Sequence, residues 1–279
     1  MEHFADRTAV ITGGASGIGL ATAERLGREG MNLVIADIEE RVLETEVARL
    51  QADGFRAIGV VTDTADYESV KALAARVADE FGDVHFLFNN AGVGGGGPML
   101  EPDDMDIWNW TLGVNLYGVV HGIKAFGAAM VAHGHDCHIV NTASMAGLLP
   151  TPGLGVYTAS KYAVVAMSET LALETADTNL GVSVLCPGFV RTGIAESDRN
   201  LPEHMAANLE EPTAEGEMMR AMVRDLVSGG IPPTEVAERV LDAVRHDRFY
   251  ILPHPQYGTQ VAARGVRIAS GDAPLSWDI

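Results

Sequence analysis

Residues 8–37 read TAVITGGASGIGLATAERLGREGMNLVIAD, and their reading decides the fold. Thr8 to Ile11 is a short run rich in β-branched residues, the composition of a strand. Thr12-Gly13-Gly14-Ala15-Ser16-Gly17-Ile18-Gly19 follows as a turn, and the pattern becomes helical through Arg28. Leu33 to Ala36 is a second strand, closed by Asp37. Two parallel strands need a long crossover between them, usually a helix. Gly13 permits the tight turn, Gly17 lets backbone approach a pyrophosphate, and Gly19 lets the helix pack on the sheet. The helix start offers amide donors and the positive end of its dipole. The spacing is Thr-Gly-x-x-x-Gly-x-Gly, and alone it suits a purely structural turn as well as a nucleotide. Asp37 adds weight. A carboxylate about twenty residues past the turn, at a strand end, accepts hydrogen bonds from an adenosine ribose. It also repels a 2′-phosphate, and no basic residue stands at Ser16 or Ile38 to offset that. NAD is therefore expected over NADP. In isolation, Asp37 also reads as a helix N-cap.

Strand and helix keep alternating outward from this unit. A charged helix spans Glu39 to Ala52, a strand Ala57 to Val61, and a helix about Asp66 to Phe81. The strand Val84 to Phe88 ends in Asn89-Asn90-Ala91-Gly92. A long helix is expected from about Asp104 to Ala132, and then a strand from His138 to Thr142. A further helix runs to about Ala176, and the strand Val182 to Leu185 is closed by Pro187-Gly188. A helix from about Thr234 to His246 and a strand from Tyr250 to Leu252 complete the series. Such alternation predicts a Rossmann-type doubly wound α/β fold, a parallel sheet of about seven strands with helices on both faces. Ligands bind such sheets outside the carboxyl ends of the strands. Gly13 to Gly19, Asp37, Asp63, Asn90, Ser144 and Pro187 to Thr192 all fall at those ends. No repeat or linker interrupts the pattern, so one domain over residues 1–279 is expected.

The chemistry sits in residues 144–161, SMAGLLPTPGLGVYTASK. Tyr157 and Lys161 are four apart, on one face of a helix. Ser144 ends a strand, so a hydroxyl, a phenol and an ammonium can meet. A phenol ionises near pH ~10, and a neighbouring ammonium lowers that value. Tyr157 would exchange a proton with an alcohol or carbonyl oxygen while Ser144 holds the same oxygen. A bare Tyr-x-x-x-Lys is also an ordinary surface pair.

Composition sets bounds. The 279 residues include 19 basic and 38 acidic side chains, a formal charge of −19. That field repels phosphate backbones and argues against a nucleic-acid partner. Cys137 and Cys186 lie in apolar runs and read as buried free thiols. The stretch MEHFADRTAVIT has no basic region followed by an apolar core, so no signal peptide is expected. No long uninterrupted apolar run predicts a membrane span, and a cytoplasmic location is expected. His133, His135 and His138 invite a metal reading, but a solvated loop is favoured and no metal is expected.

Together these residues resemble the short-chain dehydrogenase/reductase family in its roughly 250-residue form. The resemblance rests on Thr12-Gly13-x-x-x-Gly17-Ile18-Gly19, Asn89-Asn90-Ala91-Gly92, Asn115, Ser144, Tyr157-x-x-x-Lys161 and Pro187-Gly188. It is close over residues 7 to about 192 and looser from 232 to 252. It implies that Tyr157 is the general acid/base, that Ser144 polarises the substrate oxygen, and that Lys161 tunes Tyr157 and holds the nicotinamide ribose. It implies that Asn115 positions a water linking Lys161 to solvent. Asp63 would contact the adenine amine, Asn90 would line the cleft, and Thr192 with the backbone near Val190 would hold the carboxamide. Ser16, Ile18, Thr64, Gly92 and Pro187 complete the implied NAD site. The family also implies a homotetramer or homodimer on the two long helices, and a substrate lid over about 193–232.

Substrate is read from what surrounds that site. Gly94 to Gly97 lacks side chains to fill a pocket and is expected to be open and mobile. Leu148, Leu149, Pro150 and Pro152 would add an apolar wall. The lid mixes acids with Ile194, Leu201, Met205, Leu209, Met218, Met219, Met222 and Val223, suited either to bulky ligands or to packing on the body. Arg191 and Arg199 stand near enough to clamp a carboxylate. A small-molecule substrate, a bulky and largely uncharged secondary alcohol or ketone, is the expectation. Residues 141–148 and Pro233-Thr234-Glu235-Val236 resemble bacterial dehydrogenases of aryl alcohols from lignin-like ethers. A reductase of another carbonyl class, or a non-enzymatic NAD-binding sensor, are the alternatives. The tail 253–279, with Trp277, would pack on a neighbouring subunit or fray.

Overall fold

β1 (Thr8–Thr12) is buried along its whole length, as a central parallel strand must be. α1 (Gly17–Arg28) carries the chain to β2 (Asn32–Asp37), and α2 (Glu40–Ala52) to β3 (Ala57–Val61). α3 (Tyr67–Phe81) is capped by Asp66, whose carboxylate accepts the Glu68 amide at 2.9 Å, and leads to β4 (Phe86–Asn89). α4 (Met105–Leu112), a π-helical turn (Gly113–Tyr117) and α5 (Gly118–Ala132) precede β5 (Cys137–Thr142). A 3₁₀ turn (Met145–Gly147) and α6 (Gly155–Glu174) lead to β6 (Leu180–Leu185). A 3₁₀ segment (Gly193–Asn200), α7 (Glu203–Ala206), α8 (Ala214–Ser228) and α9 (Pro233–Arg245) follow. β7 (Tyr250–Ile251), a 3₁₀ turn (Pro255–Tyr257) and α10 (Gly258–Ser270) close the chain. This computed structural model describes Met1 and residues 3–100, 105–207 and 214–275. The expected roles of Leu209, Trp277 and the Asp104 helix start lie outside the described residues, as does the side chain of Met219.

The seven strands are all parallel, in the order β3-β2-β1-β4-β5-β6-β7. The chain winds outward from β1 to β3, then returns to place β4 against β1. That reversal is the switch point, and its crevice lies between Thr12-Gly13 and Asn89-Asn90. Side chains alternate across the sheet. Ala9, Ile11, Leu33, Ile35 and Phe88 pack under α1, α2 and α9, whereas Val10, Val34, Leu87 and Ile139 pack under α3 and α5.

The expected helix 104–132 is interrupted at Asn115 by the π-helical turn, a local defect that often marks functional sites. By length and composition, Met105–Ala132 is apolar enough to cross a membrane. Its apolar side chains have another use here. Val119, Phe126 and Met130 are buried against the sheet and α6. β7 is shorter than expected, and α6 stops at Glu174.

The three histidines part company. His133 and His135 stack with His85 at ring distances of 5.2–6.1 Å. His138 is buried inside β5, its Nε2 2.8 Å from Ser183 Oγ. Ser183 donates to Arg248 O, so His138 donates to Ser183 Oγ through Nε2. Among the described residues, no group of three or more His, Cys, Asp or Glu is placed to hold a metal.

Burial pushes His138 from 6.5 down to about 3. A base whose folded pKa is depressed stabilises the fold above its unfolded pKa, and that contribution falls as pH drops from 6.5 towards 3. Urea unfolding at pH 7 and pH 5 is expected to show wild type losing about 2 kcal/mol relative to His138→Gln over that interval. An unchanged difference would mean the imidazole is not held neutral.

Candidate active site

The glycine-rich turn joins β1 to α1 at the switch point. A Cβ on Gly19 would stand 2.1 Å from Gly13 O, so no side chain fits there. Asn90 fixes the turn from β4: its Nδ2 donates to Thr12 O at 3.1 Å and to Gly13 O at 3.2 Å. Its Oδ1 accepts from Thr142 Oγ1 at 3.4 Å. Thr12 Oγ1 accepts the Asn90 and Ala91 amides in return. Ser16 occupies the N-cap of α1 and is exposed, yet its side chain makes no cap bond. Amides at the start of α1 are therefore left for an anion. Asp37 lies beside them at the end of β2. Its Oδ2 accepts the Ala15 amide at 3.0 Å and its Oδ1 the Glu39 amide at 3.1 Å. Burial raises its pKa, and these bonds oppose that. The N-cap reading of Asp37 is corrected, since α2 takes Glu39 as its N-cap and Asp37 bonds the Glu39 amide ahead of the helix; each of its oxygens keeps acceptor capacity.

The turn from β3 into α3 is less open. Asp63 is exposed and accepts the Ala65 amide at 2.9 Å. Thr64 is buried, with its hydroxyl turned onto Gly118 of α5.

Ser144, Tyr157 and Lys161 come together at the carboxyl ends of β5 and β6. Ser144 Oγ donates to Pro187 O at 3.4 Å and accepts the Ala146 amide at 3.1 Å, and it stands close enough to the Tyr157 phenol to favour its ionised form. Lys161 is 3 % exposed and donates to Thr142 O at 3.2 Å. It faces inward because Lys161, Val164, Val165 and Ser168 form the buried stripe of α6. Its Nζ lies 5.6 Å from the Tyr157 ring centroid. Burial raises the phenol pKa, and Ser144 opposes that only in part. Burial also brings Lys161 down from 10.5 to about 8. In the free protein, burial is the largest influence on the phenol.

Asn115 is fully buried in the π-helical turn. Its Oδ1 accepts the Val93 amide at 2.8 Å and its Nδ2 donates to Val93 O at 2.9 Å and to Ser160 Oγ at 3.3 Å. Ser160 in turn donates to Tyr157 O at 2.7 Å. Asn115 and Lys161 converge on Gly92, where a Cβ would stand 3.3 Å from Asn115 Oδ1 and 3.5 Å from Lys161 Nζ.

Beyond β6, Val190 bridges to Ile231 through Arg191 N→Ile231 O (3.0 Å) and Ile231 N→Phe189 O (3.1 Å). The segment 193–232 therefore leaves and returns at one neck. The bridge leaves the amide and carbonyl of Val190 itself on the other side, one donor and one acceptor. Thr192 packs its methyl towards Gly17, whose Cβ would stand 2.9 Å away, and its Oγ1 caps the next turn. A cleft of about 690 Å³ opens here, lined by Gly17, Leu20, Glu24, Arg191, Thr192 and Arg224 among others, but not by Ser144 or Tyr157. A helix start without a side-chain cap, a backbone donor and acceptor at Val190, and a carboxylate at the β2 end fit a dinucleotide laid across the switch point.

Several expectations about the substrate side are corrected. Gly94–Gly97 is closely packed: Gly94 N donates to Ser197 Oγ at 2.9 Å, and a Cβ on Gly96 (φ +85°) would stand 2.4 Å from Val156 Cγ1. Glycine is needed there for close approach, so the run is not an open gap. Leu149 is fully buried with Val164, Val165 and Cys186 and belongs to the core rather than a pocket wall. Met218 and Met222 of α8 are exposed. Arg199 does not reach the site: it pairs with Glu39 at 2.8 Å and donates to Gly193 O and Glu196 O. Ser160 and Ser197 carry site contacts that the residue pattern did not single out, because each acts through backbone that only the fold brings near.

The family model for short chain dehydrogenases matches residues 7–202. The chain belongs to that family, an oxidoreductase family with this sheet. A short chain dehydrogenase/reductase from Burkholderia phymatum, solved in complex with NAD, is 42 % identical, covers 100 % of both chains and superposes with a TM-score of 0.95. The CLA biosynthesis dehydrogenase/reductase of Lactiplantibacillus plantarum is 33 % identical over 98 % of this chain and 97 % of its own. The C alpha-dehydrogenase of a Sphingobium strain is 33 % identical over 100 % of this chain and 90 % of its own.

A buried ammonium with one carbonyl partner costs stability. Lys161→Met is expected to raise the unfolding free energy at pH 7 by about 1–3 kcal/mol. That gain should shrink as pH rises from 8 to 10.5, the window between the folded and unfolded pKa of Lys161. Denaturant titrations at pH 7 and pH 10 check this. A destabilised variant would mean the charge is well solvated.

Proposed function

We propose that this protein transfers a hydride between a bulky, largely uncharged secondary alcohol or ketone and NAD, with Tyr157 as general acid/base. The observation that carries the reading is the meeting of Ser144, Tyr157 and buried Lys161 at the same sheet edge as the glycine-rich turn. The NAD-bound relative from Burkholderia phymatum supports the cofactor. NAD supplies the hydride acceptor, its nicotinamide ring.

The chain's residues do the rest. Amides of Gly17, Ile18 and Gly19 at the start of α1 take the pyrophosphate, with Gly13 and Ser16 shaping the turn. Asp37 accepts from the adenosine ribose, and Asp63 and Thr64 stand at the adenine end. Asn90 and Gly92 form the floor. Pro187, Val190 and Thr192 hold the carboxamide, and Tyr157 and Lys161 the nicotinamide ribose. At the substrate oxygen, Ser144 donates a hydrogen bond and the Tyr157 phenol exchanges the proton. Lys161, with a pKa of about 8, supplies positive charge beneath the phenol at neutral pH. Asn115 fixes Val93 and, through Ser160, the start of the Tyr157 turn.

Two features support an uncharged substrate. Arg199 is held by Glu39, and Arg191 faces the cleft beside Gly17, so neither is offered to a substrate carboxylate beside Ser144. Arg199 is paired with Glu39 at the Asp37–Glu39 corner, and that engagement supports rejection of a 2′-phosphate. Self-association through α5 and α6 is part of the proposal, supported by the outward-facing Ala159, Ala166 and Leu173, the last 80 % exposed.

Tyr157→Phe is expected to lower turnover roughly 10²–10⁴-fold while leaving NAD affinity near that of wild type. NADH formation, followed by absorbance over a panel of aliphatic, terpenoid and aryl secondary alcohols, checks it. KM for NADP should exceed that for NAD. Near-normal turnover by the variant, or an equal KM for NADP, would contradict the respective assignment.

A further inference from the structure

His254 follows β7, in the tail whose pattern suggested only packing or fraying. Its side chain is 7 % exposed, and both ring nitrogens are engaged. Gly188 N donates to Nδ1 at 3.0 Å, and Nε2 stands 3.1 Å from Phe189 O. A backbone amide only donates and a carbonyl only accepts, so the ring is neutral with its proton on Nε2. The contact is close. A Cβ on Gly188 would stand 3.2 Å from His254 Cγ and 3.3 Å from Tyr257 Cε2. The pinned peptide has a busy neighbourhood. Pro187 O, one residue before, accepts from Ser144 Oγ and from Met145 N at 2.8 Å. Val190, one residue after, forms the bridge to Ile231.

We propose that His254 is a positioning residue for the cofactor: its imidazole fixes the Gly188–Phe189 peptide, so that the free amide and carbonyl of Val190, and Thr192 beyond, stand where the nicotinamide carboxamide binds. This rests on the NAD reading above. It gives the tail a role inside its own subunit, through backbone rather than by touching the ligand.

The arrangement works only with a neutral ring. A proton on Nδ1 would set donor against donor at Gly188. The charged groups facing the ring are Glu235 and Arg239 of α9, themselves paired at 2.7 Å, and the Tyr257 ring packs beside it at 6.1 Å. Burial keeps the imidazole below its ordinary value of 6.5, so the peptide is released only in acid.

The test compares wild type with His254→Phe, which keeps the volume, and His254→Asn, whose Oδ1 can still accept from Gly188. NAD affinity is read by calorimetry at pH 8 and pH 5.5. Amide hydrogen exchange over residues 186–192 is read without NAD, and thermal unfolding alongside. His254→Phe should weaken NAD binding roughly 10-fold and speed exchange at 186–192. His254→Asn should recover most of both, and any acid weakening of NAD binding that depends on the His254 ring should be smaller in it than in wild type. A Phe variant with wild-type affinity and exchange, or an Asn variant no better than Phe, would overturn the role. Should the Phe variant not fold, the Asn comparison and the ring ¹⁵N shifts of wild type, which report the Nε2 tautomer, still decide it. Wild type that does not bind NAD would sink the functional reading itself, while the exchange data would still show whether His254 pins the peptide.

Discussion

The structure is organised around one uncomfortable charge. Lys161 is almost completely buried, with Thr142 O as its hydrogen-bonded partner. Taking an ammonium out of water costs several kcal/mol, and a single carbonyl does not offset that. The fold holds it there by force of packing. Val164, Val165 and Ser168 share its helix face, and Gly147 lies so close to the Lys161 carbonyl that a Cβ would stand 2.6 Å from it. The consequence is electrostatic. Desolvation moves Lys161 to about 8 and Tyr157 upwards, so two groups that differ little in free solution come under control of whatever charge enters between them.

A second layer of polar contacts keeps that pair in register with the sheet. Asn89 Nδ2 donates to Asn141 Oδ1 at 2.9 Å, and Asn141 Nδ2 to Ser168 Oγ at 3.0 Å, joining β4, β5 and α6 through buried groups. Asn90 does the same between β4 and the glycine-rich turn, and Asn115 between the π-helical turn and Val93. Buried amides of this kind leave few alternative arrangements, because each shift would strand a donor or acceptor. They bind the nucleotide half and the Tyr157 half into one rigid edge.

The strands were legible because a parallel sheet buried on both faces demands continuous apolar, β-branched runs, as in Thr8 to Ile11 and Leu33 to Ala36. The site was legible because glycine, Asp37, Ser144, Tyr157 and Lys161 fall at strand ends or one helical turn apart, which are local relations. What stayed hidden depends on distant partners. The π-helical turn at Asn115 leaves no mark in the helical period. Leu149 reads as a pocket wall until Val164 and Cys186 close over it. Arg199 reads as a free cation until Glu39, 160 residues earlier, takes it. His254 reads as a loop residue until β7 brings it under Gly188. Each of these needs the tertiary fold before its chemistry can be assigned.

The most direct test of the account is an ultraviolet difference titration of the Tyr157 phenol, taken as wild type minus Tyr157→Phe, with and without NAD. Burial places the phenol above its ordinary value of 10.0 in the free protein. A positively charged nicotinamide held beside it should then bring its ionisation to lower pH. A phenol that titrates at 10.0 in the free protein, or at the same pH with and without NAD, would contradict the claim that Ser144, Tyr157 and Lys161 act as one charge-controlled unit.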